Sequence, residues 1–372
     1  MNDRLLPALV LCLACLLLAS SATADRPAKK MIPAVTAIDV GSGVEKLMYK
    51  ASLPWMICQA LVVEGVKTNY ADFCAISGWS AEFHYDFDKQ QVAFLSLQAL
   101  PSGRCFSRGV SLYGKHLEMF PALPCKKEEE RLGAARMAWE FICTGIAGGK
   151  PVLTDYLDGG LFYGYDETLE DPALYFNTNG PGFGALKQSK FNELFHKGLF
   201  DLGTIADGDP GPDAKSLLVA TLANLLVVAA EPESDGASAG IAGMKKLADD
   251  LLDPARDWTK AGDWLCWPLS EQTETRLCTA VYLRRNAELL GDAAKPHLLQ
   301  AADRYEEAFG LWRKRWDADW LTDGKKDERP ARLAEPARLE ATAGYVDQAL
   351  GAELLALSEV RQALDTQKDA GK

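Results

Sequence analysis

The chain has 372 residues, a formal net charge of −12 and a sequence pI of about 5.0. A chain of this length exceeds one ordinary hydrophobic core, so it predicts two domains. The acidic balance excludes nucleic acid as a partner, because binding to phosphates requires a basic surface.

The first 24 residues predict a secretory signal peptide. Residues 5–19 are almost continuously apolar but too short to span a bilayer comfortably, and Ala22-Thr23-Ala24 supplies the small residues that a signal peptidase requires. Cleavage there would release a mature chain that begins at Asp25 and is secreted or periplasmic. An uncleaved anchor helix and lipid modification of Cys15 are the alternatives. No later segment is long and apolar enough to cross a membrane.

Export changes how the cysteines are interpreted, because an oxidising compartment allows thiols to pair. Neighbouring positions favour two disulfides, one between Cys105 and Cys125 and one between Cys266 and Cys278, each worth roughly 2–4 kcal/mol. Buried reduced thiols are the alternative. The sequence predicts no metal and no other cofactor, since the mature chain lacks a Cys-x-x-Cys motif and the whole chain has four histidines.

Short apolar runs between residues 31 and 206 predict strands that alternate with helical segments. The predicted strands are 46–50, 92–97, 151–154, 161–165 and 173–177. A helix is predicted over residues 54–64, because Ser52 can cap it and Gly65 follows its end. A second helix is predicted from residue 128 to about residue 145.

Residues 151–166 contain two apolar runs joined by an Asp-Gly-Gly turn, which is typical of a buried β-hairpin. Three aspartates flank this hairpin: Asp155, Asp158 and Asp166. Turn and strand-end roles explain them, and a role as catalytic acid or base is the alternative.

Strand patterning disappears beyond the turn-rich segment 207–212, after which Asp213 can cap an apolar helix that runs to about Ala230. Apolar residues then recur at helical spacing in several segments up to residue 364, and Trp312, Trp316 and Trp320 fall four apart. Core packing explains these tryptophans better than a ligand platform does. The sequence therefore predicts an α+β protein, with an α/β domain over residues 31–206 and an all-α helical bundle over residues 213–366.

Several short motifs, in this order, resemble a bacterial family. They are Asn69-Tyr70-x-x-Phe73-x-x-Ile76-Ser77-Gly78, Lys150-Pro151-Val152-Leu153, Gly164-Tyr165-Asp166, Ala280-x-x-Leu283-Arg284 and Ala301-Ala302-x-x-Tyr305-Glu306. Together they resemble the butirosin biosynthesis acyltransferase N-terminal domain and, more distantly, the papain-like peptidases that cleave double-glycine leaders. The resemblance covers nearly all of the mature chain and implies that residues 31–206 form a papain-like, cysteine-peptidase-like domain.

In papain-like peptidases, a cysteine at a helix N-terminus gives its proton to a histidine from a later strand. The resemblance places Ser52 at the nucleophile position and Gly159 or Gly160 at the histidine position. Asn177 or Asn179 falls where the peptidases have their orienting residue. A serine without a base is unreactive, so the resemblance implies a fold whose catalytic residues are lost.

The expected function is therefore binding of a peptide or a small molecule, without cleavage, in the former substrate cleft. The residues expected to line this cleft are Ser52, Trp55, Trp79, Asp158 and Gly160. A thiol-dependent acyltransferase or cysteine peptidase that uses Cys58, with His84 as its base, is the alternative. A structural envelope component whose bundle mediates assembly is a third possibility.

Overall fold

The structure, a computed structural model, describes residues 26–32, 39–45, 47, 51–89, 91–92, 101–121, 128–155, 159–178, 182–196, 201–234, 237–260, 273–319 and 334–370. These residues form a mixed α+β protein, which confirms the coarse fold class. The predicted signal peptide lies outside the described residues, as do most of the predicted strands 46–50 and 92–97. Asp158, Asn179, Cys125 and Cys266 lie outside them as well.

The described strands are β1 (Lys29–Met31), β2 (His84–Asp86), β3 (Gln91–Val92), β4 (Lys115–Met119), β5 (Val152–Thr154), β6 (Gly160–Asp166), β7 (Ala173–Thr178), β8 (Gly182–Lys187), β9 (Leu202–Asp207), β10 (Glu233–Ser234) and β11 (Ala237–Ala239). The described α-helices are α1 (Ser52–Val63), α2 (Tyr70–Ser77), α3 (Pro101–Leu112), α4 (Glu128–Ala147), α5 (Gln188–His196), α6 (Ala214–Ala230), α7 (Gly240–Leu251), α8 (Arg276–Asn286), α9 (Lys295–Asp319) and α10 (Pro336–Ala370). Not one of these helices is apolar enough over a sufficient length to span a bilayer.

The larger sheet is antiparallel and follows the order β4-β9-β5-β6-β7-β8, with β1 paired to the second part of β6. The predicted hairpin is confirmed, since Val152 lies opposite Phe162 and Thr154 lies opposite Gly160. The sheet therefore places the glycine turn at one end of β6.

Both faces of the larger sheet are covered by helices near its centre. Helices α4 and α5 cover one face, in an apolar layer that includes Trp139, Phe162, Leu174, Leu186 and Phe191. Helix α1 covers the other face, where it packs with Leu153, Leu161 and Ile205. Removal of these apolar side chains from water is the main term that holds the helices to the sheet.

Helix α1 is central, with nine of its twelve residues buried. The expected serine cap is wrong: Ser52 is the first helical residue, and the preceding Ala51 N–H donates to the Tyr70 hydroxyl at 2.9 Å. The predicted end is confirmed, because Gly65 follows the helix with a φ of 78° that suits glycine.

Side-chain caps fix two other helix starts. The Asn69 side chain accepts the Asp72 N–H at 2.9 Å at the start of α2, and Gly78 ends that helix with a φ of 79°. Asp213 accepts the Ser216 N–H at 2.8 Å at the start of α6, as the sequence predicts. Such caps satisfy backbone donors that have no partner within the helix.

A smaller sheet contradicts the prediction that the chain is all-α beyond residue 213. Strands β10 and β11 form a hairpin, β11 pairs with β2, and β2 pairs with β3. Ala239 thereby lies opposite His84. These strands have only two or three residues each, so they show no alternation from which a strand could be predicted.

One apolar cluster joins the two predicted domains. It contains Ile57 of α1, Leu153 of β5, Leu277 of α8 and Phe309 of α9. We call the described residues up to 207 the sheet half and those from 213 onward the helical half. The two halves therefore share one apolar cluster.

Candidate functional site

The first turn of α1 lies against the glycine turn that precedes β6. A Cβ added at Gly159 would lie 3.1 Å from both Ser52 Cβ and Met56 Sδ. Ser52 and Met56 are one helical turn apart, so they present one face of α1 to the hairpin. The structure thus brings together the two positions that the resemblance assigns to the nucleophile and the base.

Neither glycine leaves room for a catalytic imidazole. Gly159 has a φ of 118°, which L-residues with side chains rarely adopt. A Cβ added at Gly160 would lie 2.9 Å from the Asn177 carbonyl oxygen and 3.0 Å from Thr178 Cγ2. A histidine at either position would therefore require the backbone to move.

Cys58 is fully buried and faces away from this turn. Cys58 lies two residues beyond Met56, so the Cys58 side chain is rotated by about 200° around the helix axis from that of Met56. Burial, with the nearby charge of Asp39, raises the pKa of Cys58 to about 12. The thiol is therefore protonated near neutral pH and is a poor nucleophile.

His84 has a partner other than Cys58. Its Nε2 lies 2.7 Å from Glu82 Oε1, and both side chains are buried. Within the described ranges, no hydrogen bond joins His84 to Cys58. His84 is flanked by Phe83 and Tyr85, which belong to a different apolar cluster from the one around α1. The predicted Cys58–His84 pair is therefore not formed.

The two tryptophans expected in the cleft differ in position. Trp55 is half-buried on α1, with its ring centroid 5.9 Å from that of Tyr70. Trp79 is fully buried, and its ring centroid lies 5.1 Å from that of Phe106 on α3. Its expected place in an open cleft is wrong, because the turn after α2 directs the indole into the core.

Cys105 and Cys278 are free, buried thiols, so the expected pairings with Cys125 and Cys266 are not formed in the structure. Cys105 Sγ donates to the Ser77 carbonyl oxygen at 2.8 Å. Cys278 lies in the apolar cluster around α1. Both sulfurs point into the protein core, where a thiol packs as a small apolar group.

An aromatic surface that sequence analysis missed lies on the sheet face that carries α1. Tyr163 and Tyr175 are half-buried there, and Phe183 is 53% exposed. The Tyr163 and Phe183 rings meet edge to face, with centroids 5.8 Å apart. Burial and the neighbouring Tyr175 raise the pKa of Tyr163. We call Tyr163, Tyr175 and Phe183 the aromatic shelf.

The sheet register connects the aromatic shelf to the α1–hairpin contact. Asn177 lies opposite Leu161 on one side and opposite Phe183 on the other. Residues directly opposite each other in antiparallel strands share a face, and Leu161 packs against α1. Phe183 therefore lies two strands, about 10 Å, from Leu161 on the same face.

Asp155 is a titratable side chain at the base of the hairpin. It directly follows Thr154, which lies opposite Gly160, and its carboxylate accepts the Asp201 N–H at 2.7 Å. Burial raises the pKa of Asp155 to about 6. Its hydrogen bond ties the end of β5 to the residue before β9, which is a structural role at a strand end.

The chain matches no protein-family model and none of the curated proteins. The described residues also contain no group of three or more histidine, cysteine or acidic side chains that could hold a metal ion. The function is therefore inferred from the contact between α1 and the hairpin and from the aromatic shelf.

Proposed function

We propose that this protein binds a peptide or a small molecule without cleaving it, beside the start of α1 and on the aromatic shelf. We also propose that the fold is papain-like, with α1 as the central helix on an antiparallel sheet. Ser52, the glycine turn and Asn177 then occupy the positions of the nucleophile, the base and the orienting residue. The predicted signal peptide would place this binding in the periplasm or outside the cell.

The contact of Gly159 with Ser52 and Met56 carries this proposal. It places glycine backbone at the position that the resemblance assigns to the histidine, so the imidazole that accepts the proton in papain-like peptidases is replaced there by glycine. The neighbouring face nevertheless carries the aromatic shelf, with its exposed Phe183 ring, beside the half-buried Asn177 amide. Ligand sites typically combine apolar walls with a few polar groups in this way.

A thiol-dependent acyltransferase or peptidase is the competing function. It would require Cys58 to ionise and to reach a substrate carbonyl. The burial of Cys58 and its raised pKa oppose the first requirement, and its orientation away from the hairpin opposes the second. Binding without cleavage is therefore the function that the geometry supports better.

The experiment uses the full chain with two kinds of probe, a displayed library of random eight-residue peptides and N-acetyltyrosine amide. We expect at least one probe to bind, and Phe183→Ala to weaken that binding at least about tenfold, because the exposed ring is lost from the shelf. Leu355→Ala is the matched control, since Leu355 on α10 is 51% exposed. This variant should bind like the unmodified chain.

Three outcomes would contradict the proposal. The first is that neither probe binds. The second is that Phe183→Ala and Leu355→Ala bind equally well. The third is that the bound peptides are cleaved, which mass spectrometry of the recovered peptides would detect and which would favour the enzyme.

A further inference from the structure

Strand β8 forms one edge of the larger sheet, and only β7 pairs with it among the described strands. The Gln188 N–H, directly after β8, donates to the Pro172 carbonyl oxygen at 2.7 Å. In an antiparallel pair, every second residue of a strand makes its backbone hydrogen bonds to the partner strand, and the residues between them direct their N–H and C=O groups to the opposite side. The backbone N–H and C=O groups of Phe183, Ala185 and Lys187 therefore point away from β7, toward the edge.

The same three residues also direct their side chains to one face. Phe183 and Ala185 lie opposite Asn177 and Tyr175, on the face of the aromatic shelf, and both are exposed. Gly184 faces the other side, where an added Cβ would lie 2.5 Å from the Phe176 ring. A strand added beside β8 would therefore place every second side chain next to the shelf.

The charge at this edge favours an acidic group. Lys187 is exposed, and its ammonium donates to the Asp171 carbonyl oxygen at 3.3 Å. It forms no salt bridge among the described residues, although its charge helps, after the Ser189 hydrogen bonds, to lower the pKa of the Asp171 carboxyl. At the opposite edge, by contrast, Lys115 of β4 is paired with Asp207. The β8 edge thus offers a cation that a ligand carboxylate can approach.

We propose that β8 binds an extended peptide as an additional strand of the sheet. Backbone hydrogen bonds to Phe183, Ala185 and Lys187 hold the peptide, and its alternate apolar or aromatic side chains pack beside the aromatic shelf. An acidic side chain of the peptide lies near Lys187. This inference rests on the proposed function and narrows its ligand to a peptide in strand form.

The test is a scan of backbone methylation on the peptides enriched from the random library. Each peptide is resynthesised with one N-methyl group at a time, and binding to the full chain is measured by calorimetry. We expect a period of two: methylation at alternate positions weakens binding at least about tenfold, and methylation between them changes it less than about twofold. The enriched peptides should also favour Asp or Glu at one position, and Lys187→Glu should remove that preference.

Ala185→Pro gives a second measurement, because proline removes an N–H that points to the edge and leaves the bonds to β7 in place. This variant should lose peptide binding at least about tenfold and keep its circular dichroism spectrum. If the variant does not fold, the methylation scan alone decides.

Several outcomes separate the inference from the proposed function. Binding of N-acetyltyrosine amide through Phe183, with no enriched peptide, would overturn the inference and leave the proposed function standing. Peptide binding without a period of two would do the same. Binding of neither probe would overturn both. Self-association of the chain that Ala185→Pro abolishes would also overturn the inference, because a second copy would then occupy the edge.

Discussion

The helical half buries opposite charges as a pair, whereas the described residues at the contact between α1 and the hairpin, Ser52, Met56 and Gly159, are uncharged. Arg276 Nε and Nη2 lie 2.8 and 3.2 Å from the Glu353 carboxylate, and both side chains are almost completely buried. A Cβ added at Gly159 would have the Ser52 side chain and the Met56 thioether as its nearest described neighbours. The difference teaches that this protein can bury ionisable side chains with partners, yet has glycine at the position that the resemblance assigns to a base.

The largest expected effect is on the charged side of this comparison. Arg276→Met leaves the Glu353 carboxylate buried without its partner, so we expect the free energy of unfolding to fall by about 3–5 kcal/mol. Replacing both residues with methionine should restore most of this loss, because no unpaired charge remains. Urea unfolding near neutral pH measures both variants. A loss below about 1 kcal/mol for Arg276→Met would show that the pair is not desolvated.

The next largest effect concerns the contact between α1 and the hairpin. Gly159→Ala adds a methyl group at an unfavourable φ and presses it against Ser52 and Met56, so we expect a loss of about 2–3 kcal/mol in unfolding free energy. Gly149→Ala is the control, because Gly149 has a φ of 85° and a Cβ there would meet no atom within 4 Å. It should cost only about 1 kcal/mol, for strain alone. Equal losses in urea unfolding would mean that the hairpin has room for a side chain.

A smaller effect concerns the Asp155 carboxylate at the base of the hairpin. Its pKa is raised on folding from 3.8 to about 6, so its contribution to stability is complete below about pH 4 and is lost as the pH rises through about 6. Asp155→Asn keeps an oxygen that accepts the Asp201 N–H and cannot ionise. We expect this variant to be more stable than the unmodified chain by about 1 kcal/mol near pH 8, since solvent screens a half-buried carboxylate.

Asp155→Asn and the unmodified chain should have nearly equal free energies of unfolding near pH 4, where Asp155 is protonated in the folded state. Thermal unfolding at both pH values measures the difference. A constant difference across this range would show that Asp155 does not titrate with a raised pKa.

The smallest effect is an expected lack of reaction. Iodoacetamide near neutral pH should leave Cys58 unmodified in the folded, non-reduced chain and should modify it fully in urea, because only unfolding exposes and ionises this thiol. Mass spectrometry of peptides that contain Cys58 gives the readout. Rapid and selective modification of Cys58 in the folded chain would contradict its burial and favour a thiol-dependent enzyme.

Sequence signals that act over a few residues predicted much of this fold. Gly65 ends α1 and Asp213 caps α6 because a positive φ and an unpaired N–H are local requirements. The Asp-Gly-Gly turn likewise predicted the β5–β6 hairpin. Only the resemblance predicted that Gly159 and Ser52 lie close together, since no local signal links a helix start to a distant turn.

Other features depend on contacts between distant segments. The pairing of β2 with β11 joins strands of three residues each, which carry no periodic signal. The expected cleft position of Trp79 was wrong because its indole packs against Phe106 of α3, which lies further along the chain. Phe183 stands between two glycines that suggest a loop, and only the register with Asn177 reveals it as part of the aromatic shelf.

The position of α1 has a consequence for how the protein is made. This apolar helix leaves the ribosome long before Leu277 and Phe309, which belong to the same apolar cluster. A nascent chain that has finished its sheet therefore still presents apolar surface to water, and such intermediates aggregate readily. We expect the newly made chain to depend on chaperones until its last helices have been translated.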